Sequence, residues 1–115
     1  MKVIITENKR DRIALKWLDD NYGDLEPFES EKHPNYIFYK KGDKIIFDYN
    51  KTNGVVYIDY DDIWSFFESF FDMGYKQIQD ITKIWVEEHY NLRVTTTRGY
   101  FMESFNEVEE HYKLG

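Results

Sequence analysis

The pentapeptide Val-Glu-Glu-His-Tyr occurs twice, at Val86–Tyr90 and at Val108–Tyr112, and over the surrounding heptapeptide six of seven positions match. Each copy sets a histidine beside two carboxylates. Two such clusters meeting in space would offer imidazole and carboxylate to one Zn, Mn or Fe ion. Neither copy has the histidine pair four residues apart that places both rings on one helix face in a zincin. The competing reading is two amphipathic helix ends that use the same good helix formers. His89 falls on an apolar stripe, where a histidine serves as a base or a ligand, or sits in the core with one backbone or carboxylate partner.

A second group is acidic: Asp48, Asp59, Asp61 and Asp62. Asn53-Gly54 read as a two-residue hairpin loop sets Asp48 directly across from Asp59. Like charges in that position repel unless a cation lies between them. A divalent ion there would suit a metal-dependent hydrolase or nuclease. The candidate metal ligands are therefore Asp48, Asp59, His89 and His111. Against this, Asp61 and Asp62 are explained by capping of the helix that follows. A loop longer by two residues would also move Asp59 away from Asp48 while keeping every side chain on its face. There is no Gly-rich phosphate loop, no G-x-S-x-G elbow and no P-loop lysine. Thr95, Thr96 and Thr97 are strand formers before they are nucleophiles. No catalytic residue and no cofactor are assigned from the sequence.

The elements that must position these residues centre on VVYIDYDDIWSFFESFFDM, Val55 to Met73. A strand pattern runs there into a helix from Asp61 to Met73 whose stripe is Ile63, Phe66, Phe67, Phe70 and Met73. Trp64 and Phe71 widen the stripe, and short helix–helix connections predict that both are covered by the next helix within one monomer. Before it, residues 36–40, 44–50 and 55–60 read as a three-stranded meander. With Gly42-Asp43 as the first loop, the core face holds Tyr36, Phe38, Ile45, Phe47, Tyr49, Val56, Ile58 and Tyr60. The second face holds Ile37, Tyr39, Ile46, Asp48, Tyr57 and Asp59, and its apolar half invites a cover or a partner. Ile37, Tyr39, Ile46 and Tyr57 are accordingly the expected partner-binding residues.

The flanking elements are a strand at Lys2–Thr6, a helix from about Glu7 to Tyr22, and a polar connection over 24–35 with two prolines. After Gly74 come a helix from Tyr75 to about Asn91, a strand over Leu92 to Arg98 that Gly99 ends, and a last helix at 105–113 capped by Ser104 and Glu107. The expected fold is α+β: one domain over 1–115, with an antiparallel sheet (the meander plus one or two further strands) packed by about four helices.

The chain has 115 residues, 22 acidic against 15 basic, and no cysteine. That excludes disulfides and thiolate metal sites. A net charge of −7 argues against sequence-independent nucleic-acid binding, and it suits a basic protein partner. The N-terminal MKVIITENKR lacks the apolar core of a signal peptide, and no apolar run approaches the roughly 20 residues that span a bilayer. The expectation is a soluble intracellular chain without a membrane partner.

Three stretches carry a resemblance: Met1 to Glu7, Ile63 to Phe66 and Trp85 to Tyr90. They resemble small proteins of marine phage and ocean metagenomic sequences to which no activity is attached. The resemblance implies a phage accessory protein in a bacterial cytoplasm, and it carries no site residue with it. The readings that follow are three: a non-enzymatic binding protein, with a second copy of the chain among its candidate partners; a metal-dependent hydrolase using the Asp/His set; and an acidic mimic of nucleic acid that inhibits a basic protein.

Overall fold

The chain from Glu26 to Asp59 is built from short apolar runs separated by tight polar turns, and it folds as four successive antiparallel strands: β1 (Glu26–Ser30), β2 (His33–Lys41), β3 (Lys44–Asn50) and β4 (Val55–Asp59). The computed structural model describes residues 9–101. The strand expected at Lys2–Thr6, the helix expected at 105–113 and His111 lie outside the described residues. Helix α1 (Lys9–Tyr22) precedes the sheet. A π-helical turn (Tyr60–Trp64), α2 (Ser65–Ser69) and α3 (Tyr75–Tyr90) follow it, and the described chain closes with β5 (Thr96–Tyr100). The sheet order is β1-β2-β3-β4-β5.

The expected fold class holds as α+β, with two corrections. The sheet is mixed rather than antiparallel, because β5 pairs parallel to β4. Two parallel neighbours need a long crossover, and α2 and α3 supply it. The described helices number three rather than about four. The polar connection expected over 24–35 is instead β1 and the start of β2. Its prolines argued against strand, but Pro27 lies on the sheet's edge, where one side of the strand has no ladder to complete. Gly99 lies within β5 rather than ending it. A Cβ at that position would sit 2.8 Å from the Trp64 ring, so glycine is what allows the indole to approach the strand this closely.

Two local features set the register of the meander. Asn50 Oδ1 accepts hydrogen bonds from the backbone N–H groups of Thr52 and Asn53, and Asn53 Oδ1 accepts one from Val55. These side-chain turns close a loop of 51–54 rather than a two-residue Asn-Gly turn. Phe47 then pairs with Ile58, and Asp48 with Tyr57. The longer-loop alternative raised by the sequence is the one adopted, and Asp48 does not face Asp59. Gly54 has φ +75° and receives Thr95 against its backbone, with the Thr95 N–H donating to the Gly54 carbonyl at 2.8 Å. That contact seats β5 beside β4.

The second feature is a bulge. Lys40 pairs with Ile45 but Tyr39 pairs with Phe47, so Ile46 has no partner on β2. One extra residue reverses every side chain beyond it. The expected face of β2 is therefore inverted: Tyr39 belongs to the main core, Ile37 packs against it, and Phe38 and Tyr36 turn the other way. Ile46 is also in the main core, while Ile45 joins Phe38 on the opposite side.

All three helices cover one face of the sheet. The core they share with it contains Ala14, Leu18, Phe47, Ile58, Ile63, Trp64, Phe67, Ile78, Ile81 and Trp85. Trp64 and Phe71 are buried within the monomer. Phe67 is buried as the stripe requires, but Phe70 is 68% exposed. The helix expected to run to Met73 stops at Ser69, and Asp72 takes a positive φ of 54°. The change of path carries Phe71 inward and leaves Phe70 stacked on Phe66 at the surface. Arg10 holds this turn from α1 by donating to the Phe71 and Asp72 carbonyls.

Helix α3 is fixed to β5 by a polar seam. Thr82 and Thr97 hydroxyls meet at 2.6 Å in the buried interior, and Gln79 Nε2 donates to the Thr97 carbonyl. Thr97 is thus an assembly contact and not an exposed nucleophile.

Candidate binding cleft on the outer sheet face

The opposite face of the sheet carries no helix among the described residues. Its residues follow from the register: Phe28, Phe38, Asp48, Tyr57 and Arg98 form one row across all five strands. Tyr36 stacks beside Phe38 at 6.1 Å between ring centres, and Tyr100 lies 5.4 Å from Tyr57. Phe28 stands 6.4 Å from Phe38. Only Phe38 and Ile45 form a buried cluster here, with Phe28 and Tyr36 packed against them. A cleft of about 370 Å³ opens over the row, lined by His33, Tyr36, Phe38, Asp48, Tyr57 and Tyr100.

Asp48 is the one carboxylate in that lining. Its Oδ1 is buried and accepts no hydrogen bond among the described residues. Burial pushes its carboxyl up to about 7, against the smaller opposing effect of a hydrogen bond from the Tyr57 backbone. The cause is desolvation: aromatic neighbours on both sides displace the water that would stabilise the charge. A carboxyl in a cleft whose pKa is raised by desolvation is a candidate functional group.

Of the residues expected to bind a partner, Tyr57 lines this cleft. Tyr39 and Ile46 are buried in the main core, and Ile37 packs against it. The bulge moves those three inward and brings Tyr36, Phe38 and Ile45 out in their place. A signal for it exists in the sequence. Ile45-Ile46-Phe47 is a run of three apolar residues in a strand that otherwise alternates, and all three are buried. Such a run fits a bulge at least as well as it fits regular alternation.

The other described metal-ligand candidates, Asp59 and His89, lie apart from Asp48. Asp59 is fully buried at the end of β4. Its Oδ2 accepts the Asp62 N–H and ion-pairs with Lys44 at 3.0 Å, and Lys44 also binds Asp62. It is Asp59, not Asp61 or Asp62, that caps the turn beginning at Tyr60. Burial raises the Asp59 pKa, and the hydrogen bond from Lys44 opposes that rise.

His89 lies on the helical side of the molecule. Its Nε2 hydrogen-bonds the Gly23 carbonyl at 2.6 Å, so that nitrogen carries the hydrogen. Its Nδ1 is 3.4 Å from Asp19, and Trp85 Nε1 donates to the same carboxylate oxygen. His89 therefore joins the end of α1 to α3, with both a backbone and a carboxylate partner. Leu15, Ile84 and Glu88 complete a shallow hollow of about 280 Å³ beside it. Among the described residues no three His, Cys, Asp or Glu side chains converge as a metal would need.

Comparison with protein families, with curated proteins and with solved structures returns no match to this chain. No helix among the described residues is long and apolar enough to cross a membrane.

Proposed function

We propose that the protein is a non-enzymatic binding protein whose contact surface is the outer face of its sheet and whose partner is basic. The observation that carries this reading is Asp48, a carboxylate at the centre of an aromatic row with one buried oxygen that has no partner among the described residues. A sheet that needed this row only for stability would do better with an apolar residue, because a desolvated carboxylate with one oxygen left without a donor costs free energy. A partner that brings a positive charge to Asp48 offsets that cost. The net charge of −7 would draw such a partner in and speed the encounter. Tyr57, Tyr100 and Tyr36 offer flat apolar area with a polar tip, the composition of binding surfaces.

The reading is tested by NMR titration of the chain with a short lysine-rich peptide and, in parallel, with its glutamate-rich counterpart. Shifts confined to Tyr36, Phe38, Asp48, Tyr57 and Tyr100 with the basic peptide alone are expected. Shifts confined to the α1–α3 side, or none at millimolar peptide, would remove the reading. A chain that self-associates through the same residues in light scattering would make its partner a second copy.

A further inference from the structure

The cleft over β3 has a composition more specific than charge alone requires. Asp48 lies on the middle strand, with Phe38 directly across on β2 and Tyr57 directly across on β4. Each of those rings is doubled by a neighbour, Phe38 by Tyr36 and Tyr57 by Tyr100. The carboxylate therefore sits between two aromatic pairs, and its buried Oδ1 has no donor among the described residues.

An unmodified ammonium brings three N–H donors and a tightly held hydration shell. Ring faces satisfy few of those donors. Replacing N–H groups with methyl groups removes the unmet hydrogen bonds and leaves the charge. The methyl groups gain contact with the rings, and the charge is attracted both to the ring quadrupoles and to the carboxylate. The cleft is open on one side, so such a group can enter at the end of a longer chain.

We propose that this cleft is a binding site for an alkylated ammonium group, with Asp48 as its counter-ion and Tyr36, Phe38, Tyr57 and Tyr100 as its walls. The inference rests on the reading of the outer face as a binding surface and names the chemistry that face takes. The group has two sources: a methylated lysine side chain of a protein partner, or a free quaternary amine. The ionisable groups around Asp48 are His33, Tyr36 and, two residues on from Phe38, Lys40 on β2; Tyr57 on β4; and Arg98 and Tyr100 on β5. Lys40 is paired with Glu26 at 3.0 Å. Arg98 adds a positive charge at the edge of the row, and its removal favours a cationic ligand. Only ionised Asp48 serves as counter-ion, so affinity rises with pH through about 7.

The test titrates the whole chain at pH 8, by NMR, with tetramethylammonium and with two peptides that differ only in one lysine, unmodified or trimethylated. The trimethylated peptide is expected to bind about fivefold or more tightly than its unmodified twin, with Asp48 and the four rings shifting together. Asp48→Asn, which keeps shape and stays folded, should weaken binding about tenfold, and Tyr57→Leu about threefold. Arg98→Ala should strengthen it. Binding of the trimethylated peptide without tetramethylammonium, or the reverse, supports the site and identifies the source. Equal affinity for the two peptides at the outer face overturns the alkylammonium assignment and leaves the basic-partner reading standing. An unchanged affinity in Asp48→Asn also overturns it. Absence of any outer-face shift with either peptide overturns both.

Discussion

Adjacent residues of β3 and β4 serve opposite ends. Phe47 and its cross-strand partner Ile58 are buried under the helices, in contact with a core that runs from Ala14 to Val94. One position along, Asp48 and its partner Tyr57 face the other way, into an open cleft. The two pairs share strands, ladder and turn. They differ in what covers them. The inner pair exchanges water for packed hydrocarbon, which is the main favourable contribution to folding. The outer pair keeps a largely desolvated carboxyl whose Oδ1 accepts no hydrogen bond among the described residues, which is unfavourable to folding. The alternation of side chains thus gives the same sheet one packed face and one open face.

The inner face should be the fragile one. Phe67→Ala is expected to cost about 3–5 kcal/mol, because the ring is fully buried among Trp17 and Phe71 and cannot be replaced by solvent. Chemical denaturation reads this directly, and a loss below about 1 kcal/mol would place Phe67 outside the core. Gly99→Ala comes next, at about 1–3 kcal/mol. The added methyl meets the Trp64 ring at 2.8 Å, and the indole is enclosed and has nowhere to move. An unchanged melting temperature would mean the strand and the indole are not in contact.

These two positions also mark how far the sequence could be read. Phe67 was legible from helical periodicity alone, since its neighbours at four-residue spacing are also apolar. So were α1, the order of elements from β2 onward (though not β1), the burial of Trp64 and Phe71, and the alternation on β3 and β4 away from the bulge. Gly99 was not: a glycine in a threonine-rich run signals a strand end by local rule, and only the approach of Trp64 from 35 positions earlier explains it. The cleft was half legible. Asp48 and Tyr57 stand on the second face in any register of even shift. Tyr36 and Phe38 reach it only through the bulge at Ile46, which depends on how β2 and β3 pair rather than on either strand by itself. The Asp48–Asp59 pair failed for a related reason, because Asn50 and Asn53 closed a longer turn with their own side chains.

The outer face should be tolerant. Tyr57→Ala is expected to change stability by less than about 1 kcal/mol, the scale of one cross-strand pair. A loss comparable to that of Phe67→Ala would make the outer row a second core and weaken its reading as a contact surface.

The desolvated Asp48 carboxylate opposes folding, and the pH dependence of Asp48→Asn measures by how much. The Asp48 carboxyl rises on folding from the ordinary 3.8 to about 7. The folded state therefore holds this proton more tightly than the unfolded chain does. Its contribution to stability is complete below pH 3.8 and is lost as the pH climbs through about 7. A shift of this size corresponds to about 4 kcal/mol at most, and residual water in the cleft reduces the expected effect to about 1–3 kcal/mol. Asparagine carries no such penalty. Paired denaturation curves of the native chain and Asp48→Asn should coincide near pH 3.8 and separate above pH 7, with the variant more stable by about 1–3 kcal/mol. A variant less stable than the native chain at pH 8 would contradict the account, because it would show that the ionised carboxylate holds the fold together.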